Sequence, residues 1–363
     1  MDKPVDITSG KIRIKDIAER AKVSVGTVDR VLHNRGEVAK ETRDLINTII
    51  SELSYTPNII ASTLAQKKVF RFSALLPMIS EGDAYWQFAV KGIENAEKEI
   101  GHYGVAIKKY FFDIRNQESM EEQMQHILND HTDGVMIMPV FNELTEKFAQ
   151  TLSEKNIPYS FIDSALFGAN PIKVAAQDSF QSGYLAAKLI SYSVAKDATV
   201  LIMNVARNHY NDTHFNERVR GFKAYLAEHN ITETKIRTIE ITQGDEVSVK
   251  QSLMSAFTEY SFVRGVFVTG YDVYKVAKFI DEKKLVNIRL IGYDLSENNI
   301  QYLRKGTIDF LLSQRPEQQA YKGIMALFNH LVLKKPALIS HSMPIDIITK
   351  ENVDYYPASR LTE

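Results

Sequence analysis

At 363 residues and 41.3 kDa the chain is too long for one typical core, and at ~100–200 residues per domain it divides into two or three. Its 44% hydrophobic and 25% charged residues exclude collagen-like, low-complexity and wholly disordered classes, and the absence of cysteine excludes disulfides, thiolate metal ligation and a cysteine nucleophile. The net charge of −1 hides an asymmetry, because residues 1–68 carry 12 basic and 9 acidic side chains while the remainder carries 32 and 36. The N-terminus is therefore +3 and the rest −4. No stretch approaches the ~18 uninterrupted apolar residues of a membrane span, and the start, Met1 to Asp6, lacks the apolar segment of a secretory signal. A cytoplasmic protein with no membrane partner is expected.

The first element is a short helix. Ile14, Ile17, Ala18 and Ala21 follow the i, i+3, i+4, i+7 spacing of one buried face. Ser24 then stands as an N-cap before a second helix that turns Val28, Val31 and Leu32 to one side. Asn34-Arg35-Gly36 breaks the chain, and a third helix opens at Lys40-Glu41-Thr42-Arg43 with Ile46, Ile49, Ile50 and Leu53 inward. Two helices joined by a tight turn fit a plain helical bundle as well as a helix-turn-helix. The outer face of the second helix favours the latter. Val25, Gly26, Thr27, Asp29 and Arg30 are small or polar and led by Ser24, which suits a helix whose N-terminal end enters a major groove.

Residues 13–64, through Ile14-Lys15-Asp16-Ile17-Ala18, Val23 to Leu32, Thr42-Arg43, Leu53 to Asn58 and Ala61, resemble the DNA-binding headpiece of the lactose-repressor (LacI/GalR) family. The resemblance implies base reading by Val25, Gly26 and Arg30. It implies phosphate contacts and orientation by Ser24, Thr27, Thr42, Arg43, Tyr55 and Asn58. Arg30 is the first candidate for guanine, since a guanidinium can bond O6 and N7 together. Asp29, where the family usually has Ser, either accepts from a cytosine amino group, fixes Arg30, or is an ordinary surface charge. His33 and Arg13 also depart from the family pattern, which leaves the operator sequence open.

Pro57 stops the third helix, and Ile60, Ala61 and Leu64 then resume helical spacing over a length too short to be stable alone. The resemblance implies a hinge helix over 58–68 that orders against its dimer mate, with Leu64 wedged into the minor groove; an ordinary linker helix is the alternative. The expected domains are a headpiece over 1–57, this hinge helix, and an effector domain over 69–363.

Beyond Lys68 short apolar strands alternate with amphipathic helices. The strands are Phe70 to Pro77, Gly104 to Ile107, Gly134 to Pro139, Tyr159 to Asp163, Val200 to Met203, Gly265 to Val268 and Leu290 to Asp294. Helices such as Phe88 to Ile100, Ser182 to Tyr192 and Glu217 to His229 connect them. The pattern predicts an α/β class with two doubly wound parallel-sheet lobes and a ligand cleft at the strand ends. The lobes are expected over about 69–193 with 316–343, and 194–315 with 344–357.

This half also resembles the family's type I periplasmic sugar-binding fold. The matching points are Tyr85-Trp86 ahead of Gly92, Asp178 before Gly183, Arg218 before Gly221, Gly292-Tyr293-Asp294, and Gln314 with Pro316. The resemblance implies an effector site of Asp83, Tyr85, Trp86, Asp178, Arg218, Asp294 and Gln314. Carboxylates can accept hydroxyls there, Arg218 can fork across neighbouring oxygens, and Trp86 can stack on sugar C–H groups. Each has a plainer reading: Asp294 as a turn cap, Arg218 as a helix-surface partner of Glu217 or Asp212, Trp86 as core. Met138, Gly270 and Glu246 depart from the sugar pattern, and Asn204, Arg207, His209, Tyr210 and Asn211 leave a phosphorylated or acidic sugar open.

Phosphate-loop, zinc-helix and nucleophile-elbow signatures are all absent, so neither an enzyme nor a cofactor or metal site is expected. The sequence reads as a ligand-responsive, DNA-binding transcription regulator, a repressor of carbohydrate-utilisation genes acting on a palindromic double-stranded operator. The alternative is a sugar-binding transport or sensor protein without sequence-specific DNA binding. A chain ending soon after Tyr355-Tyr356 without a leucine heptad leads to the expectation of a homodimer.

Overall fold

The computed structural model describes residues 12–32, 35–53, 55, 69–79, 84–166, 168–205, 213–231, 234–241, 244–337 and 343–356. The expected hinge helix, with Asn58 and Leu64, lies outside them. The chain forms two compact units, Met1–Lys67 and Lys68–Glu363.

In the first unit the apolar stripes close on each other. Helices α1 (Ile14–Ala21), α2 (Val25–Leu32) and α3 (Lys40–Glu52) bury Ile17, Ala18, Ala21, Val28, Val31, Ile46 and Ile49 in one core. Lys22 takes the left-handed conformation (φ 53°) that ends α1 and turns the chain toward α2. The Arg13 backbone N–H donates to Asp16 Oδ2 at 2.7 Å, so Asp16 fixes the start of α1, and an Arg20–Glu52 pair at 2.8 Å ties α1 to the end of α3.

The second unit holds two sheets. The first has the order β2-β1-β3-β4-β5, from β1 (Phe70–Pro77), β2 (Val105–Phe112), β3 (Gly134–Ile137), β4 (Tyr159–Asp163) and β5 (Lys173–Ala176), and every pairing is parallel. The second has the order β11-β10-β9-β8-β6-β7, from β6 (Thr199–Val205), β7 (Lys235–Ile241), β8 (Val263–Val268), β9 (Arg289–Tyr293), β10 (Phe310–Ser313) and β11 (Asp346–Ile348), with β11 alone antiparallel. Central strands such as β3 and β6 are buried along their whole length, as helix-covered parallel strands must be.

Helices α4 (Ala84–Ile100), α5 (Gln117–Asn129) and α6 (Asn142–Glu154) flank the first sheet. Helix α7 (Ser179–Ser191) was expected with the first lobe. Its Ala186, Ala187 and Ile190 instead join Val200, Ile202 and Phe222 in a core of the second sheet, so the lobe changes after β5. With α8 (Thr213–Glu228) it covers one face of the second sheet, and α9 (Glu246–Glu259), α10 (Val273–Glu282) and α11 (Glu297–Lys305) cover the other. Helix α12 (Pro316–Leu331) returns to the first lobe, where Ala320, Ile324 and Leu327 are buried.

The chain thus crosses between lobes three times, and one side chain ties the crossings together. Gln177 Nε2 donates to Ser313 O at 2.9 Å and to Pro344 O at 3.2 Å, while Met343 N donates to Ala176 O at 2.8 Å.

Candidate functional site

On the headpiece, Ser24 Oγ accepts from Thr27 N at 3.1 Å and pairs with Thr27 Oγ1 at 2.9 Å. The start of α2 is therefore capped, and its outward residues Val25, Gly26 and Arg30 are exposed, with Val25 49% accessible. Thr42 and Arg43 are half-buried on the first turn of α3. Tyr55, expected at a phosphate, packs into the headpiece core. Asp29 is half-buried on α2 beside Arg30.

In the second unit the carboxyl ends of the strands face a cleft between the lobes, as open α/β sheets predict. A cavity of about 290 Å3 opens there, walled by Tyr85, Trp86 and Met138 from the first lobe and by Phe215, Arg218 and Tyr271 from the second. Arg218 is fully buried. Its Nη1 donates to Thr269 O, its Nη2 to Gln314 Oε1 at 2.6 Å, and its guanidinium lies 3.7 Å from the Tyr293 ring centroid. Glu217 pairs with Arg220 at 2.9 Å, so the surface reading of Arg218 does not hold.

Gln314 continues the chain of bonds: its N and Nε2 donate to Asp294 Oδ1 and Oδ2 at 2.8 and 2.6 Å. Both carboxylate oxygens of Asp294 are thus taken by a residue of the crossover, and burial raises its pKa to about 6 against those bonds. Asp294 lines an adjacent cavity rather than this one. Tyr85 donates to Asp163 Oδ1 at 2.5 Å, and burial, then Asp163, raises its pKa. Trp86 meets Tyr85 edge to face, 4.7 Å between centroids. Trp86 Nε1 and Arg218 Nε are buried donors with no partner among the described residues.

Asp178 is not part of this set. It is exposed and caps α7 by accepting from Gln181 N at 2.9 Å. Asp83 lies outside the described residues, as do Arg207, His209, Tyr210 and Asn211; Asn204 is held by Glu240 and Thr269. Glu246 pairs with Lys278 on the surface at 2.6 Å. Sequence reasoning missed Asp163, His214, Tyr271 and Asp272, all lining the cavity. Desolvation lowers the His214 pKa to about 4 against the opposing charge of Asp163, with Arg218 adding to the lowering, and leaves the ring neutral. Asp163 was legible in principle: like Asp294, it sits at the carboxyl end of an apolar strand, and both take left-handed φ, 69° and 63°.

A capped, outward-facing second helix in a three-helix unit and a two-lobed α/β body with a donor-lined cleft define a helix-turn-helix joined to a periplasmic-binding-like fold. Residues 13–58 match the lacI family of bacterial regulatory proteins, and residues 74–335 match a periplasmic binding protein domain. The chain belongs to the lacI family. It is 32% identical over 148 residues to the HTH-type transcriptional regulator pepR1 of Lactobacillus delbrueckii subsp. lactis, a match spanning 40% of this chain and 42% of that one. It is 24% identical over 286 residues to the ribose operon repressor of Halalkalibacterium halodurans, covering 77% and 80% of the two chains. A crystal structure from Bacteroides fragilis, solved as a candidate LacI transcriptional regulator, is 31% identical with a TM-score of 0.74 and covers 80% of this chain and 100% of its own.

Proposed function

We propose that the protein is a cytoplasmic, homodimeric transcription regulator that binds a palindromic operator through its headpiece and changes that affinity when a sugar or sugar derivative enters the interlobe cleft. The observation that carries this reading is one chain holding both an exposed, capped recognition helix and a cleft with two buried donors that find no partner among the described residues. In this reading Val25, Gly26 and Arg30 read base edges, while Ser24, Thr27, Thr42, Arg43 and Asn58 hold phosphates. Leu64 opens the central step, and the headpiece, hinge and effector segments are those expected over 1–57, 58–68 and 69–363.

The effector site comprises Tyr85, Trp86, Arg218 and Gln314, with Asp163 accepting a hydroxyl. Asp294 acts through Gln314, holding the crossover. An effector that contacts both lobes favours one lobe angle over another by its differential affinity. That angle sets whether two headpieces meet consecutive half-sites. No catalytic step is assigned to any residue. The ribose operon repressor relative supports a role in repressing carbohydrate-utilisation genes. Purified protein incubated with fragmented DNA of its source organism, recovered and sequenced at physiological salt, tests the reading. Enrichment of a short palindrome supports it; retention independent of sequence supports the transport or sensor alternative.

A further inference from the structure

The cleft has a second compartment. Beside the 290 Å3 cavity lies one of about 360 Å3, and the two share Tyr85, Tyr271 and Asp272 as a common wall. Tyr85 from the first lobe and Tyr271 from the second face each other there, nearly parallel at 15° with centroids 6.0 Å apart. Each volume is at or near the lower end of the ~300–1,000 Å3 of small-molecule sites, so each has room for a single ring and the two together for a linked pair. The second compartment is reached from both lobes and from the β10–α12 crossover, through Phe88, Tyr274, Leu295, Ser313 and Tyr356.

Its charged side chains are already matched. Asp272 pairs with Lys275 at 3.1 Å, Arg315 with Asp346 through Nη2 at 2.8 Å, Glu317 accepts from Asn95 at 2.8 Å, and Asp294 is bonded twice by Gln314. The cation on this lining, Arg315, is held by Asp346, so an anionic ligand group would have to displace that carboxylate. What remains is aromatic surface edged by hydroxyls: Ser296 and Ser313 accept from Asn299 N and Arg315 N, and each keeps a proton to donate. Flat C–H or aryl faces stack on tyrosine while ring oxygens and hydroxyls meet such edges.

We propose that this compartment takes the second ring of a two-ring effector, an uncharged pyranose or aryl group glycosidically linked to a sugar seated against Arg218 and Trp86. The proposal rests on the reading of the cleft as the effector site. A ring placed there touches both lobes and the crossover, as does a ring in the first compartment, so a two-ring ligand engages the lobe angle at two places rather than one.

The test is calorimetry on the full chain with a panel of single sugars (D-glucose, D-galactose, D-mannose, D-xylose, L-arabinose), their α- and β-linked disaccharides, and their phenyl glycosides. We expect a two-ring member to bind about tenfold or more tighter than its single ring. Phe88→Ala and Tyr274→Ala should bring it down to the single-ring level without changing single-ring binding, because neither residue lines the first compartment. Gln318→Trp, at an exposed position on the rim, should do the same by narrowing the space and guards against loss of fold in the truncated variants. Preference for disaccharides or for phenyl glycosides separates a pyranose from an aryl occupant. Two-ring members that bind no tighter than single rings, or that ignore all three variants, overturn the proposal while single-ring binding leaves the cleft reading standing. Binding by no member overturns it too, and the cleft reading falls with it if Arg218→Met leaves the response of DNA binding to a small-molecule extract of the source cells unchanged.

Discussion

Helices α7 and α8 approach so closely that only glycine fits between them. A Cβ at Gly183 would lie 1.9 Å from Arg218 O, and one at Gly221 would lie 1.9 Å from Phe180 O. Gly183→Ala must therefore drive the helices apart by about 1.5 Å to restore ordinary contact, an overpacking cost of ~1–3 kcal/mol offset by ~1 kcal/mol of helix propensity. Arg218 sits on the displaced helix. Its 2.6 Å bond to Gln314 opens beyond hydrogen-bond reach, and losing a bond of a charged, buried group costs ~1.5–3 kcal/mol more. The net loss is of the order of 3 kcal/mol, and at ~2–4 °C per kcal/mol for a large domain the melting temperature of the second unit should fall by roughly 10 °C. Scanning calorimetry reads the fall, and sugar binding should weaken in parallel while the headpiece transition stays put. Gly101→Ala, whose Cβ would meet nothing within 4 Å, is the control. A Gly183→Ala protein that melts and binds like the parent would refute the argument that this crossing positions Arg218.

Three further outcomes are expected. Ser24→Ala removes the cap of the recognition helix and should cost the headpiece ~1 kcal/mol, lowering its melting temperature and its DNA affinity with sugar binding unchanged; unaltered headpiece melting would contradict the capping role. Arg30→Ala should cost ~1–3 kcal/mol and relax preference at one base pair per half-site in a binding-site selection, whereas an equal loss on every sequence would make Arg30 a phosphate contact. Asp294 has a folded-state pKa of about 6, above its ordinary 3.8, so it favours folding below pH 4, and that contribution is lost as pH rises through 6. The shift of about two units corresponds to roughly 3 kcal/mol. Asp294→Asn should flatten the stability profile between pH 4 and 7, and parallel profiles for parent and variant would remove Asp294 as the titrating group.

Much of this architecture was legible because local and tertiary demands agreed. The apolar stripes of α1 to α3 and the buried runs of β1, β3, β4, β6, β8 and β9 are read directly from spacing. Strands β5, β7, β10 and β11 were not read. Strand β7, at a sheet edge, is exposed or half-buried up to its last residue and lacks a continuous apolar run, and β5, β10 and β11 are only three or four residues long. At the site, Tyr85, Trp86, Arg218 and Gln314 were expected from the family resemblance, and the fold brings them to one cavity. Asp178 stands apart from them as the N-cap of α7, accepting from Gln181 N, and an N-cap carboxylate and a ligand carboxylate look alike in sequence. The glycines Gly183 and Gly221 stood out beside Asp178 and Arg218, yet their reason is a helix crossing that no local pattern encodes. Tyr271 was missed for the same kind of reason, since only the packing of the two lobes brings it to the cavity, whereas Asp163 carried a local signal at the carboxyl end of β4.

The central claim is that one molecule's cleft controls its headpiece. Its most direct test is the affinity for a labelled fragment recovered by genomic enrichment, followed by anisotropy as the tightest-binding glycoside of the panel is added, for the parent and for Arg218→Met. The account requires equal DNA affinity without sugar, a shift with sugar in the parent, and no shift in the variant. A parent whose DNA affinity ignores the bound sugar, or a variant that responds as the parent does, would contradict it.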